Sequence, residues 1–243
     1  MLFGIHCRSA SQQLKKEGFK YLYRGLLPLV LQRTFQTSIM FGVFEGTRRY
    51  MRNNYNLSSR TSLVIAAAMT GMCESVLTPC ERVQILLVDP NYYYRYKNTY
   101  DTVGKIISNY GVGEFYRGYI FILARNMVNT SVFFFLKYEV VPQLVPLDSP
   151  YYKLIQEFGV GAIVGATVTS ITFPLNVVKI ASQRWVGLES QDPIRIVKAV
   201  YRKRGKSIGR FYLGAYMNFG RGIVNWGLIN VTYESMKTIL DKL

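Results

Sequence analysis

The chain has 243 residues, 49% of them hydrophobic and only 18% charged, against roughly 25% charged in ordinary soluble domains. Thirty Lys and Arg outweigh 14 Asp and Glu, for a formal net charge of +16, so an apolar chain is also strongly basic and points to anionic lipid, nucleic acid or an anionic solute. Three cysteines (Cys7, Cys73 and Cys80) and a single histidine, His6, argue against a disulfide framework and a zinc site.

Nothing at the start reads as a cleavable signal or transit peptide. In chain order, Ala10–Gly18 reads as a short amphipathic surface helix. A first span is predicted over 25–52, with Thr34–Phe44 as its uncharged part. A second covers 61–88, apolar over Ser62–Cys73 before it meets Glu74 and Pro79. Thr99–Tyr110, after Asp89-Pro90-Asn91, is a second surface helix, and a third span over 118–143 holds the uncharged Asn126–Leu136. The fourth span, 153–184, contains the clearest run. Phe158–Val178 carries no charge, and about 20 such residues cross a bilayer core. Its Gly161 and Gly165 form a GxxxG, which permits close helix packing in lipid. Pro193–Arg204 is a third surface helix, and 214–242, with the uncharged Gly222–Tyr233, is the fifth span. Charged residues interrupt most of these segments. Ionisable groups inside a span normally face a bundle interior or a water-filled path, so the pattern predicts a bundle around a polar cavity.

Self-similarity sets the architecture. Tyr23-Arg24-Gly25 recurs as Tyr116-Arg117-Gly118 and, loosely, as Tyr212-Leu213-Gly214, the glycines standing 93 and 96 residues apart. Seven residues beyond each glycine stand Gln32, Arg125 and Arg221; twenty beyond stand Glu45, Tyr138 and Glu234, with the middle acid one place later at Glu139. Three residues past the acids are Arg48, Pro142 and Lys237. A second register comes from Pro79 and Pro174, 95 residues apart. The shared period divides the chain into 1–55, 56–148 and 149–243. Each unit is a span, a surface helix and a span, except that the first lacks its opening, proline-bearing span. The chain is therefore expected to be truncated at its N-terminus, with five of six spans present.

These residues resemble the mitochondrial carrier family. Phe44-Glu45-Gly46-Thr47-Arg48 and Tyr233-Glu234-Ser235-Met236-Lys237 fit that family's aromatic-acid-basic signature, and Tyr138-Glu139-Val140-Val141-Pro142 fits it except at Pro142. Pro79-Cys80-Glu81-Arg82-Val83-Gln84 fits the proline-acid-basic signature except at Gln84, and Pro174-Leu175-Asn176-Val177-Val178-Lys179 except at Asn176. The resemblance covers essentially the whole chain. It implies an all-α membrane protein, a helical bundle of three pseudo-threefold repeats in the mitochondrial inner membrane that exchanges solutes by alternating access. Within the family, LKKEGFKYLYRGLLPLVLQR, LTPCERVQILLVD, FPLNVVK and NWGLINVTYE look like the branch that carries NAD⁺.

The resemblance further implies two gates. Glu81, Gln84, Asn176 and Lys179 would form the matrix gate, with Glu81 pairing Lys179. Glu45, Glu139 and Glu234 would share Arg48 and Lys237 at the cytoplasmic gate, where Pro142 replaces the third base. Substrate contacts are expected at Gln32–Arg33, Arg125–Asn126 and Arg221–Gly222. Converging guanidiniums in a low-dielectric cavity favour phosphate, which they hold bidentately. Glu74 has Thr169 as its repeat counterpart, so it lies outside the symmetric machinery and is a candidate for an asymmetric ligand. The arginines would take the pyrophosphate of NAD⁺ and Glu74 the cationic nicotinamide ring, unless Glu74 balances an arginine. Asn126, Asn129, Asn218, Asn225 and Trp226 offer amides and a stacking face. Other nucleotide-like cargo (coenzyme A, FAD or a folate) suits the arginines equally, and a non-transporting isoform is the reading from another class. The glycine motifs at helix starts suit a lipid phosphate, cardiolipin in the family, and clusters such as Lys15-Lys16 and Arg202-Lys203-Arg204 suit anionic lipid. A monomer without a resident cofactor is expected. Basic groups spread among the spans do not suit nucleic acid, and no nucleophile–base set, metal spacing or phosphate loop supports an enzyme.

Overall fold

The computed structural model describes residues 23, 25–55, 58–92, 94–141, 153–184, 186–187, 192–207 and 209–240; the side chains of residues 90, 153, 154, 234 and 237–240 are outside that description. The described residues form helices and their connections, with no strand. In chain order these are α1 (Leu26–Tyr55), α2 (Ser59–Glu74), α3 (Thr78–Val88), α4 (Thr99–Tyr110), α5 (Tyr119–Phe135), α6 (Lys153–Ile171), α7 (Phe173–Gln183), α8 (Pro193–Lys203) and α9 (Ala215–Leu240). The expected surface helices appear as α4 and α8; Ala10–Gly18 lies outside the described residues.

The repeated glycine has a backbone reason. Gly25, Gly118 and Gly214 immediately precede α1, α5 and α9 with φ of +77°, +75° and +89°, a left-handed conformation that a Cβ disfavours. The repeated proline has one too. The helix that ends at Glu74 passes through a 3-10 turn, Ser75–Leu77, before α3 starts. Pro79 sits in the first turn of α3 and Pro174 in that of α7, where a missing N–H breaks no helical hydrogen bond. The run Phe158–Val178, the cleanest span by hydropathy, is not one straight helix: α6 and α7 meet at Thr172 with a bend of 59°. The break falls one residue before Phe173-Pro174, and Thr172 satisfies itself by donating to Val168 O, 2.8 Å away.

Two helical segments, Ser59–Val88 and Val112–Val140, are long and apolar enough to cross a membrane, and the bent α6–α7 pair makes a third. The other two long helices meet only the length criterion. At 1.5 Å per residue α1 and α9 run about 45 and 39 Å, but α1 carries Arg33, Glu45, Arg48, Arg49 and Arg52.

Small residues bring the helices together. A Cβ on Gly161 would lie 2.6 Å from Asn230 Cβ, and one on Gly165 would lie 2.2 Å from Trp226 Cβ. Gly227 faces the Phe158 ring and Gly222 faces Thr169 in the same α6–α9 seam, the close approach expected of the GxxxG. Between α2 and α5, Gly71 abuts the backbone of Met127, and Thr130 Oγ1 donates to Ala67 O at 2.9 Å. Phe41, Phe44, Phe133, Phe134 and Trp226 build an aromatic core across α1, α5 and α9. Phe44 stacks on Phe134 at 3.4 Å, and Phe41 on Tyr233 at 3.8 Å. Beyond the proline breaks, Asp89 is wholly buried and takes Arg184 Nε at 2.7 Å; the two hold the same register in successive units.

A polar cavity between the helices

The two proline breaks start α3 and α7 at matching registers and bring Glu81 and Lys179 face to face. Lys179 Nζ lies 2.5 Å from Glu81 Oε2 and both residues are buried. Glu81 Oε1 also accepts from Gln32 Nε2 at 2.6 Å and from Arg125 Nη2 at 3.3 Å. One carboxylate thus holds α1, α3, α5 and α7 together through charge-assisted bonds, which are stronger than neutral ones.

Next to this cluster is a cavity of about 270 Å³, near the lower end of the roughly 300–1,000 Å³ usual for small-molecule sites. Arg33, Arg125 and Arg221 line it from α1, α5 and α9, and Glu74 from the end of α2. The wall therefore sets three guanidiniums against one carboxylate. Gln36, Asn129, Asn176, Asn218 and Asn225 contribute amides. Trp226 borders the cavity and stacks on Phe133 at 4.5 Å, which fixes its indole plane. Arg221 Nη2 donates to Asn218 Oδ1 at 3.3 Å, and Arg125 Nη2 to Asn126 Oδ1 at 2.5 Å. Glu74 is 3% exposed and accepts from Gln36 Nε2 at 2.8 Å.

The structure brings Arg33, Arg125, Arg221 and Glu74 to one wall and sets two further expected contact residues behind it. Gln32 turns its amide to Glu81, and Asn126, 2% exposed, donates through Nδ2 to Ser75 Oγ at 3.2 Å. Both follow from helix geometry, because neighbours on a helix point about 100° apart and the adjacent arginine takes the cavity face. At the matrix-gate positions, Asn176 lines the cavity and Gln84 is half-buried; neither hydrogen-bonds to the Glu81 cluster among the described residues.

Of the acids expected to share Arg48 and Lys237, neither Glu45 nor Glu139 pairs with Arg48. Glu45 Oε1 accepts from Tyr138 Oη at 2.8 Å, and Glu139 pairs with Arg60 at 3.2 Å. Arg48 lies over the Tyr138 ring, 4.5 Å from its centroid, and Nη2 reaches Ser59 Oγ at 3.4 Å. The ring offers Arg48 a cation–π contact in place of an acid. The side chains of Glu234 and Lys237 lie outside the described residues. Sequence reasoning missed Tyr138 as a partner, although it occupies the position where the other units carry Glu45 and Glu234. It also missed Gln36, one turn beyond Gln32.

The profile of the family described as Mitochondrial carrier protein matches residues 7–55, 57–146 and 151–243. The mitochondrial nicotinamide adenine dinucleotide transporter SLC25A51 of Homo sapiens is 33% identical over 239 residues, covering 98% of this chain and 80% of that protein. The mitochondrial nicotinamide adenine dinucleotide transporter SLC25A52 of Homo sapiens is 34% identical over 233 residues, covering 96% and 78%. The mitochondrial citrate transporter B of Aspergillus niger is 24% identical over 229 residues, covering 93% and 77%. Three profile matches along nearly the whole chain, on a helical bundle that encloses a charged cavity, lead to one conclusion: this chain belongs to the mitochondrial carrier protein family.

Proposed function

We propose that the chain carries NAD⁺ across the mitochondrial inner membrane into the matrix by alternating access. The observation that carries the reading is the cavity wall itself: Arg33, Arg125 and Arg221 meet one carboxylate, Glu74, that the repeat symmetry does not require. An arginine within a span is costly unless it is paired, and a pyrophosphate supplies the missing charge in a form that guanidinium binds bidentately. Glu74 then faces the cationic nicotinamide ring, a charge distribution that matches the wall. The relatives named as nicotinamide adenine dinucleotide transporters support this substrate. A cavity of this size holds one end of a dinucleotide, so passage requires the bundle to widen.

Arg125 couples the cargo to the matrix gate. It lines the cavity and also lies 3.3 Å from Glu81. A phosphate that draws Arg125 away leaves Glu81 with Lys179 and Gln32 and so weakens the closed arrangement. A ligand shifts such an equilibrium only through its different affinity for the two states, and Arg125 provides that difference. When the matrix end opens, Glu45, Glu139 and Glu234 would exchange their present surroundings for Arg48 and Lys237 at the cytoplasmic end. The units 1–55, 56–148 and 149–243 are the bodies that rock against one another, a division supported by the three matched segments. Cardiolipin phosphates would sit at the starts of α1 and α5, beyond the left-handed glycines, and the working unit would be a monomer.

The test is saturable uptake of labelled NAD⁺ into cardiolipin-containing proteoliposomes, with Arg125→Gln and Arg221→Gln reducing it by tenfold or more. Uptake of coenzyme A, FAD or a folate without NAD⁺ uptake would replace the substrate, and no uptake of any of them would support a non-transporting role.

A further inference from the structure

We propose that Gln36 and Glu74 form a subsite for an –NH₂ group of the transported molecule, an inference that rests on the NAD⁺ reading above. An ionised carboxylate only accepts hydrogen bonds. Gln36 therefore presents its amide nitrogen to Glu74 Oε2, at 2.8 Å, and its oxygen is left pointing elsewhere. Gln36 Oε1 and Glu74 Oε1 are both buried, and neither has a hydrogen-bond partner among the described residues. The two residues line the same cavity. Buried acceptors without partners are costly, and here two of them belong to hydrogen-bonded neighbours that line a cavity whose charged groups are otherwise donors.

A planar –NH₂ group carries two hydrogens, one for each acceptor. A carboxylate or a keto oxygen in its place would set acceptor against acceptor. Sites that hydrogen-bond a particular group reject analogues that lack it, because their own polar atoms are then left unpaired. Gln36 thus adds directional selection to the charge that Glu74 offers the ring. The nicotinamide ring and its carboxamide lie at the same end of NAD⁺, so one subsite serves both.

NAD⁺ also bears a second –NH₂, on adenine, and the test separates the two. Competition against labelled NAD⁺ uptake is measured with nicotinic acid adenine dinucleotide, where the carboxamide is a carboxylate, and with nicotinamide hypoxanthine dinucleotide, where the adenine amine is a keto oxygen. The wild-type protein is expected to bind one of these at least about tenfold more weakly than NAD⁺, and the disfavoured analogue identifies the end held. Gln36→Leu and Gln36→Met are both expected to cut that ratio about threefold or more. A wild-type ratio near one for both analogues, which needs no variant, overturns the subsite while leaving NAD⁺ transport intact. So does a ratio unchanged in a Gln36 variant that still takes up NAD⁺. Absence of NAD⁺ uptake by the wild-type chain overturns the carrier reading and the subsite with it.

Discussion

Glu81 is buried with three donors around it, from Lys179, Arg125 and Gln32, so removing one of them leaves a charge that water cannot reach. Breaking one side of a buried pair typically costs about 3–5 kcal/mol. Lys179→Met is expected to lower the melting temperature in detergent, and Lys179→Met with Glu81→Met to recover much of the loss; equal melting of wild type and Lys179→Met would contradict the pairing. A solvent-facing carboxylate behaves differently. Asp101 caps the start of α4, accepting from the Lys97 backbone N–H and from Lys105 Nζ, both at 2.9 Å. These bonds hold its carboxyl below the ordinary value. Because the folded state lowers it, the contribution is present above the unfolded value, about 3.9, and is lost as pH falls through the folded one. Protection factors of the α4 amides, which correct for the intrinsic exchange rate at each pH, should therefore fall at acid pH in the wild type, and Asp101→Asn should remove that dependence. At this scale the convergence of Arg33, Arg125 and Arg221 on one wall was legible from the repeat, and Glu74 stood out by departing from it. The partners of Glu45, Glu139 and Arg48 were not, because which aromatic ring or exposed arginine lies nearest depends on helix rotation, and spacing does not encode that.

The elements meet where side chains are smallest. In the α6–α9 seam Gly165 leaves no room for a Cβ beside Trp226, and Gly161 none beside Asn230. Gly165→Leu is expected to separate α6 from α9, displace Trp226 from Phe133, and lower the melting temperature more than Gly159→Leu, since a Cβ on Gly159 meets nothing within 4 Å. Similar losses from the two variants would mean that the seam does not hold the bundle. The element boundaries read well from sequence wherever a residue dictates its own backbone. The glycines before α1, α5 and α9 and the prolines opening α3 and α7 are such residues. The 59° bend at Thr172 is the kink that Pro174 predicts, whereas hydropathy measures how apolar a segment is and is blind to its direction.

For the whole molecule, the excess of basic charge falls into two parts with different uses. Arg202, Lys203 and Arg204 end the exposed amphipathic helix α8, at a surface suited to anionic lipid, whereas Arg33, Arg125 and Arg221 line a cavity whose wall, among the described residues, carries one carboxylate, Glu74. On the proposed reading, the first group would serve membrane attachment and the second an anionic cargo. On that reading, Glu74 tells a cargo with a cationic ring from other anionic cargo. The most direct measurement is the initial rate of uptake of NAD⁺ and of NADH, whose reduced ring has no positive charge, into proteoliposomes containing wild type or Glu74→Gln. The account predicts that the variant loses about tenfold in NAD⁺ uptake, or about 1.4 kcal/mol, while NADH changes by less than about threefold. An equal loss for both would contradict it, since Glu74 would then be supporting the cavity and not reading the cargo.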